Sequence, residues 1–406
     1  MSSLSTLYQY EMKKNMRRKI FWITLAVCIL CIVFTVTAGL IGSQDVKRDG
    51  EVVDSVSYYE MFLTDRAYER SLSGRPIDQE LLEETMAAYK KIPYSMEFYT
   101  SLEEYHRYAR PYSAIFNVIR GWTNMDADSA MKWTPSEAAL YGMRTEDLLE
   151  NWQELQLTDH EIAFWQEQEA KLELPFIYQY HDGYRIALSR LLTVGLTMLL
   201  FIAICLSGMF SEEHIRRTDQ LILSSVNGRD AAYWAKILSG ITVAGGGAFV
   251  MALAAVGLSM GIYGTDGFQT IIQIAMKQYS WPMTVGEAML ISYGLLLVTA
   301  VFMSILVMVG SEVLKSSVAV LAITAAAIVL GMYVSVPDKY RVLAQIWDYL
   351  PTNFLIVSNV LDVRPVTIAG SCFLSWQIVP VVYLVAGILT AFAGKGIFRR
   401  YQASGR

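Results

Sequence analysis

The sequence predicts an all-α polytopic membrane protein, with six transmembrane helices and a large helical extracytoplasmic domain between the first and the second. Three observations predict it. The chain has 406 residues and is 54% hydrophobic, too apolar for an ordinary soluble protein of that size. Its charge is segregated: residues 43–185 carry 27 acidic and 14 basic side chains, a net of −13, and the remainder is net +8, which points to two environments. Six apolar runs reach the ~20 residues that a spanning helix requires; they lie at 20–42 and at about 186–210, 234–263, 287–310, 317–336 and 376–394.

Residues 1–19 form a basic stretch in which Tyr8, Met12 and Met16, continued by Ile20, recur every four residues, a spacing that suits an amphipathic helix lying at a membrane interface. The run that follows resembles a signal peptide in its basic flank, and Gly39 to Ser43 supply small residues. Its apolar stretch, however, exceeds the ~7–15 residues of a cleavable segment, so 20–42 is expected to remain as the first span.

Lys and Arg in the connecting loops set the orientation. Residues 1–19, 211–236, 311–316 and 395–406 hold 14 of them, and the opposite set, 264–286 and 337–375, holds 4. Both termini are therefore expected in the cytoplasm and residues 43–185 outside; the cysteine-free outer block and the short loops suit a bacterial plasma membrane. Six spans and two cytoplasmic ends are mutually consistent.

The outer block is expected to be helical. Ser101–Glu104, Thr134–Glu137 and Thr158–Glu161 each have capping-box spacing, where a hydroxyl and a carboxylate satisfy the free amides of a first turn. Pro135 after Thr134 suits a first helical position. "IDQELLEETMAAYKK" and "TEDLLENWQELQL" carry apolar residues three and four apart. None of the four cysteines lies in the block, so it is not a disulfide scaffold. The remaining segment on that side, 337–375, is too apolar for a plain loop. It is expected either as a helical hairpin dipping into the outer leaflet or as a surface amphipathic helix. The rest of the chain, 186–406, is the main membrane domain.

Several chemistries are excluded by what the spans lack. No G-x-x-x-x-G-K-[ST] stretch is present, and "AGKGIF" around Lys395 lacks its first glycine and hydroxyl, so nothing cradles a triphosphate. "HEIAF" at His160 has Phe164 where a zinc-protease helix needs a second histidine. Cys28 and Cys31 have zinc-like spacing but no second pair, and a structural zinc site needs about four ligands. No span holds a central Asp or Glu, the usual coupling group of an ion-driven carrier. Energy is therefore expected from elsewhere, and no nucleic-acid partner is expected.

One polar stretch interrupts the apolar remainder: "FSEEHIRRTDQLILSSVNGRDAAYWAKIL", Phe210 to Leu238. Ile215, Leu221, Ile222 and Val226 form part of an apolar face. Asn227-Gly228 reads as a turn, and Asp230 is placed to cap the returning helix. The reading is a short helix along the inner surface, a sharp turn, and re-entry; the plainer alternative is a solvated connector. Phe210, Glu212 or Glu213, Thr218, Leu221, Leu223, Ser224, Ser225, Arg229 and Lys236 together resemble the cytoplasmic loop of permease subunits of ABC-2 type exporters. That family often has Gly before the Thr and Pro before the last small-Arg pair; Arg217 and Val226-Asn227 stand there in this chain.

The resemblance implies two six-span halves, a second copy or a paralogue, lining one pathway within the membrane lipids. It implies two ATPase subunits beneath them that bind ATP and Mg, with no cofactor in this chain. It also implies a coupling helix between spans 2 and 3, with the N-terminal helix at the same surface. In the expected coupling loop (Glu212, Glu213, His214, Arg216, Arg217, Thr218, Leu221, Ser224, Ser225, Arg229 and Lys236), the two glutamates end span 2 and pair with basic groups. The Thr218–Ser225 face bears on the ATPase, and Arg229 and Lys236 fix the re-entry at the lipid headgroups. The cargo is expected to be hydrophobic or amphipathic: a drug, a lipid-like molecule or an antimicrobial peptide. The competing reading is a membrane-anchored peptide sensor or resistance factor that signals through the same loop.

Overall fold

The computed structural model describes residues 4–93, 99–215 and 230–400. In chain order the elements are α1 (Leu4–Met16), α2 (Lys19–Thr37), β1 (Ser43–Arg48), β2 (Glu51–Ser57), α3 (Tyr58–Leu72), α4 (Gln79–Tyr89), α5 (Ser113–Thr123), α6 (Ala127–Lys132), α7 (Glu137–Glu154), α8 (Asp159–Glu169), α9 (Asp182–Ser189), α10 (Leu191–Leu206) and α11 (Ser211–Ile215). There follow α12 (Ala231–Tyr263), α13 (Val285–Leu314), α14 (Ser317–Tyr333), α15 (Arg341–Asp348), the β3–β4 hairpin (Val366–Ile368 with Ser371–Phe373) and α16 (Ser375–Arg400).

Among the described residues five helical stretches are long and apolar enough to cross a bilayer: Lys19–Leu40, Leu191–Glu213, Ala231–Tyr263, Val285–Leu314 and Ser375–Arg399. The expected span at 317–336 is the shorter α14, 17 residues long. Ala231–Tyr263 has 33 residues, well beyond the ~20 that cross a hydrocarbon core.

The chain divides into two compact units. The first comprises Met1–Phe34, Ser189–Gly257 and Leu290–Arg406. Here α10 is the most enclosed element, with Val194, Met198, Phe201 and Ile202 fully buried. The segment after α14 runs against α10 and α14 where two glycines admit it. A Cβ built on Gly195 would fall 2.7 Å from Leu355 Cδ1, and one on Gly331 would fall 2.0 Å from Asn353 Oδ1. This segment, expected as a helical hairpin or a surface amphipathic helix, holds the eight-residue α15, a single turn at Val357–Val360 and the β3–β4 hairpin. It is knotted around Arg364, a buried guanidinium 2.9 Å from Asp362, 2.6 Å from Asp348 and 3.3 Å from Asp338.

The second unit comprises Thr35–Leu188 and Leu258–Met289. Residues 258–289 contribute to its fold: Lys277 pairs with Asp147 at 3.2 Å and the Tyr263 hydroxyl donates to the Val36 carbonyl at 2.9 Å. Its core gathers Ile115, Phe116, Ile119 and Trp122 of α5 with Leu81, Met86 and Tyr89 of α4 and Leu140 of α7. Tyr89 stacks on Phe116 at 3.7 Å.

The unit departs from an all-helical reading at its start. β1 and β2 form an antiparallel hairpin. Asp49 and Gly50 both adopt positive φ, 50° and 86°, the two-residue turn that matches strand twist and favours Asp-Gly. Helix starts are also redistributed. Thr158–Glu161 and Ser57–Glu60 form complete capping boxes. At the middle candidate the cap is Ser136, which accepts from the Ala139 amide. Pro135 therefore precedes the cap, and Glu137 instead accepts from the Gln79 amide at 3.1 Å. Beyond Ser101 the chain makes a short π-helical turn over Tyr105–Ala109 in place of an α-helix.

Candidate functional site

Within the first unit, the N-terminal helix is fastened to the end of α10–α11 and the start of α12 by charged groups. α1 stops at Met16, and the chain bends at Arg17-Arg18 before α2 begins. Tyr8, Glu11 and Met12 are half-buried and Asn15 is buried, whereas Met16 and Ile20 are exposed. The every-four-residue series does not stay on one face, because four residues exceed a 3.6-residue turn. The inward stripe instead runs 8, 11, 12, 15 and is mostly polar.

That stripe meets charge with charge. Lys236 Nζ lies 2.8 Å from Glu11 Oε1 and 2.5 Å from Glu213 Oε1. Lys14 Nζ adds contacts of 3.1 Å to Glu213 and 3.6 Å to Glu11. Beside them Arg18 Nη2 sits 2.6 Å from Glu212 Oε2. Three cations face three carboxylates, so the cluster is neutral as a whole. Asn15 Nδ2 reaches the Met209 sulfur at 3.7 Å, and the Tyr8 hydroxyl donates to Thr242 Oγ1 at 3.0 Å.

The placement of Lys236 corrects the expectation of a headgroup anchor. Its side chain has 0% exposure. An ammonium can be buried so completely only when paired and hydrogen-bonded. Two carboxylates meet that condition here, and the Phe210 ring lies 5.8 Å from the nitrogen.

An aromatic and hydroxyl layer continues the site. The rings of Phe210, Tyr233 and Phe398 lie within 5.6–5.8 Å of one another, and the Tyr233 hydroxyl donates to the Ala391 carbonyl at 2.6 Å. Ser311 Oγ donates to the Ser207 carbonyl at 2.5 Å and accepts from the Ser211 amide at 3.1 Å. Asp230, expected as a cap, holds Lys395 at 3.0 Å. The ends of α10, α12, α13 and α16 are thus stitched together beside α1.

Of the residues singled out from sequence, the structure brings Tyr8, Met12, Glu212, Glu213 and Lys236 into one neighbourhood and leaves Met16 outside it. His214 belongs to α11. Arg216, Arg217, Thr218, Leu221, Ser224, Ser225 and Arg229 lie outside the described residues. Sequence reasoning missed Glu11, Lys14, Asn15 and Arg18 as members of the site. The available signal was that Glu11 is the sole acid among residues 1–19, beside five basic residues.

The comparison with protein families covers most of the chain. The model of the ABC-2 family transporter protein matches residues 5–392, from α1 into α16 and therefore across both units. No curated protein matches the chain.

Proposed function

The chain belongs to the ABC-2 family of transporter membrane proteins, and we propose that it is the permease half of an ATP-driven exporter whose nucleotide sites lie in separate ATPase subunits. The observation that carries the proposal is the neutral cluster of Glu11, Lys14, Arg18, Glu212, Glu213 and Lys236. It flanks residues 216–229 on both sides, joining the last turn before them to the first turns after them and both to α1. Force applied to that segment by a closing ATPase pair would be delivered to α1, α10 and α12 together. Removing one partner of a buried ion pair costs about 3–5 kcal/mol, so these elements are expected to move as one.

Topology supports the same reading. α1 and the C-terminal end of α16 lie at one end of the first unit, which requires an even number of crossings between them. The 17-residue α14 would then be the sixth crossing, about 26 Å long at 1.5 Å per residue, short of the ~30 Å hydrocarbon core by little. The excess of Lys and Arg at this end supports a cytoplasmic placement, with residues 43–185 then outside. The sequence contains no triphosphate-binding loop, in keeping with a subunit that depends on ATP and Mg bound elsewhere. Two such halves would enclose the pathway. The apolar spans suit a hydrophobic or amphipathic cargo.

The test is the ratio of cargo moved to ATP hydrolysed in vesicles holding the permease and its ATPase. Replacement of Glu212 and Glu213 by Ala should leave insertion and ATP hydrolysis in place and lower that ratio severalfold. An unchanged ratio would refute the assignment.

A further inference from the structure

The second unit contains a cleft-lining carboxyl group that forms no ion pair among the described residues. Glu69 of α3 faces an open cleft of about 300 Å³ between α3, α5, α9 and the 274–277 stretch. Its Oε2 accepts a hydrogen bond from the Tyr178 hydroxyl at 3.2 Å, and it forms no ion pair among the described residues. The other charges near it are already matched. Arg185 holds Asp182 at 2.6 Å, Lys277 at the rim holds Asp147 at 3.2 Å, and Asp65 is held by Arg110 at 2.6 Å. Once Glu69 ionises, the net charge of the cleft is that of its carboxylate.

A second polar group lines the same cleft. His181 lines the cleft and is 7% exposed. Its Nδ1 lies 2.8 Å from the Gln179 carbonyl, which only accepts, so Nδ1 carries the proton. Burial pushes the ring pKa down, which keeps it neutral and leaves Nε2 an acceptor. Nε2 has no hydrogen-bond partner among the described residues.

The cleft therefore presents the Glu69 carboxyl, a histidine acceptor and the ring of Tyr178, whose hydroxyl donates to Glu69. Among the described residues no set of three or more His, Cys, Asp and Glu side chains has metal-holding geometry, which disfavours a metal ion. We propose that this cleft binds a primary ammonium group on a flexible apolar stem, such as a lysyl side chain or an amino terminus, with Glu69 as counter-ion and His181 Nε2 as a second acceptor. An ammonium supplies three donors without fixed planar geometry, and its stem would lie along Tyr178.

Burial, with repulsion from Asp182 adding to it, pushes the Glu69 carboxyl up to about 8. Asp65 also raises it, and Arg185 and Tyr178 oppose the rise; His181 and Lys277 are the other titratable groups of the cleft. An alkylammonium keeps its proton to about pH 10. Binding should therefore tighten as Glu69 ionises. The proposal is independent of the transport reading, because it concerns the isolated permease.

The probe is N-acetylcadaverine, one primary ammonium on a five-carbon stem, titrated calorimetrically into the full-length protein in nanodiscs at pH 6 and pH 9. Diacetylcadaverine, which has no charge, is the control. The expected result is binding at least about tenfold tighter at pH 9, weakened about tenfold or more and made independent of pH by Glu69→Gln, with no binding of the diacetyl compound. Equal affinity of wild type and E69Q at pH 9, equal binding of the two probes, or a wild-type affinity unchanged between pH 6 and pH 9 would each overturn the proposal. The wild-type pH comparison stands even if E69Q fails to fold.

Discussion

Lys236 Nζ lies 2.8 Å from Glu11 Oε1, although 225 residues separate them. This contact closes the first unit on itself, because it joins the N-terminal helix to the start of α12, and Glu213 shares the same ammonium at 2.5 Å. A pair so deeply buried contributes little net stability when intact, since desolvation offsets attraction, but its loss is costly when one charge is left behind. Its value lies in fixing where α1 sits.

Lys236→Met should therefore destabilise the first unit by about 3–5 kcal/mol, leaving Glu11 and Glu213 to share Lys14. Lys236→Met with Glu11→Gln should recover most of the loss, because Lys14 and Glu213 then remain a balanced pair. Thermal unfolding in nanodiscs, read as a double-mutant cycle, checks this. Additive effects of the two substitutions would mean that the contact carries no coupling.

Gly331→Ala should lower stability even though Ala in a helix is ordinarily favoured over Gly by about 1 kcal/mol. The new methyl would meet Asn353 Oδ1 at 2.0 Å. Gly245→Ala and Gly246→Ala, where nothing lies within 4 Å of the added carbon, should raise the melting temperature or leave it unchanged. The opposite signs within one protein are the readout.

The helix caps of the second unit give a graded test. Ser136→Ala, Ser57→Ala and Thr158→Ala should each cost about 1 kcal/mol, the usual loss of an N-cap, whereas Thr134→Ala should cost much less. Chemical denaturation of the four variants distinguishes the cap at Ser136 from the one read from sequence at Thr134.

The Glu69 carboxyl, pushed up to about 8 by burial and by Asp182, also sets a pH dependence. Between its ordinary value of 4.5 and 8 the unfolded chain ionises this group while the folded chain keeps it protonated. Its contribution is thus most favourable below pH 4.5 and is lost progressively up to pH 8. The difference in stability between Glu69→Gln and wild type should grow in favour of the variant across that window and level off above it. A difference that stays constant from pH 4 to pH 9 would contradict the assigned shift.

The membrane elements were legible in sequence because a spanning helix is written in one continuous run. The expected starts at 234, 287 and 376 fall within three residues of Ala231, Val285 and Ser375. Asp49-Gly50 signalled a hairpin, but the helical pattern around it drew the whole block into one class. Ser136 and Thr134 both fit a capping pattern, and only the packing of Glu137 against Gln79 decides between them. The site was half legible: Glu212, Glu213 and Lys236 stood out as charges beside apolar runs, while their partners on α1 did not. A contact across 225 residues leaves no local period, so burial of Lys236 could not be told from a side chain reaching for headgroups. The inclusion of residues 258–289 in the second unit was hidden for the same reason.

The most direct measurement of the central claim is the accessibility of a cysteine placed at Ser224, in a chain whose Cys28, Cys31, Cys205 and Cys372 have been replaced. An impermeant thiol reagent should leave it unmodified in intact cells, label it in inside-out vesicles, and label it more slowly when the ATPase subunits are bound. Prompt labelling from outside intact cells would put residues 216–229 on the wrong side of the membrane for a motor to reach, and would contradict the account.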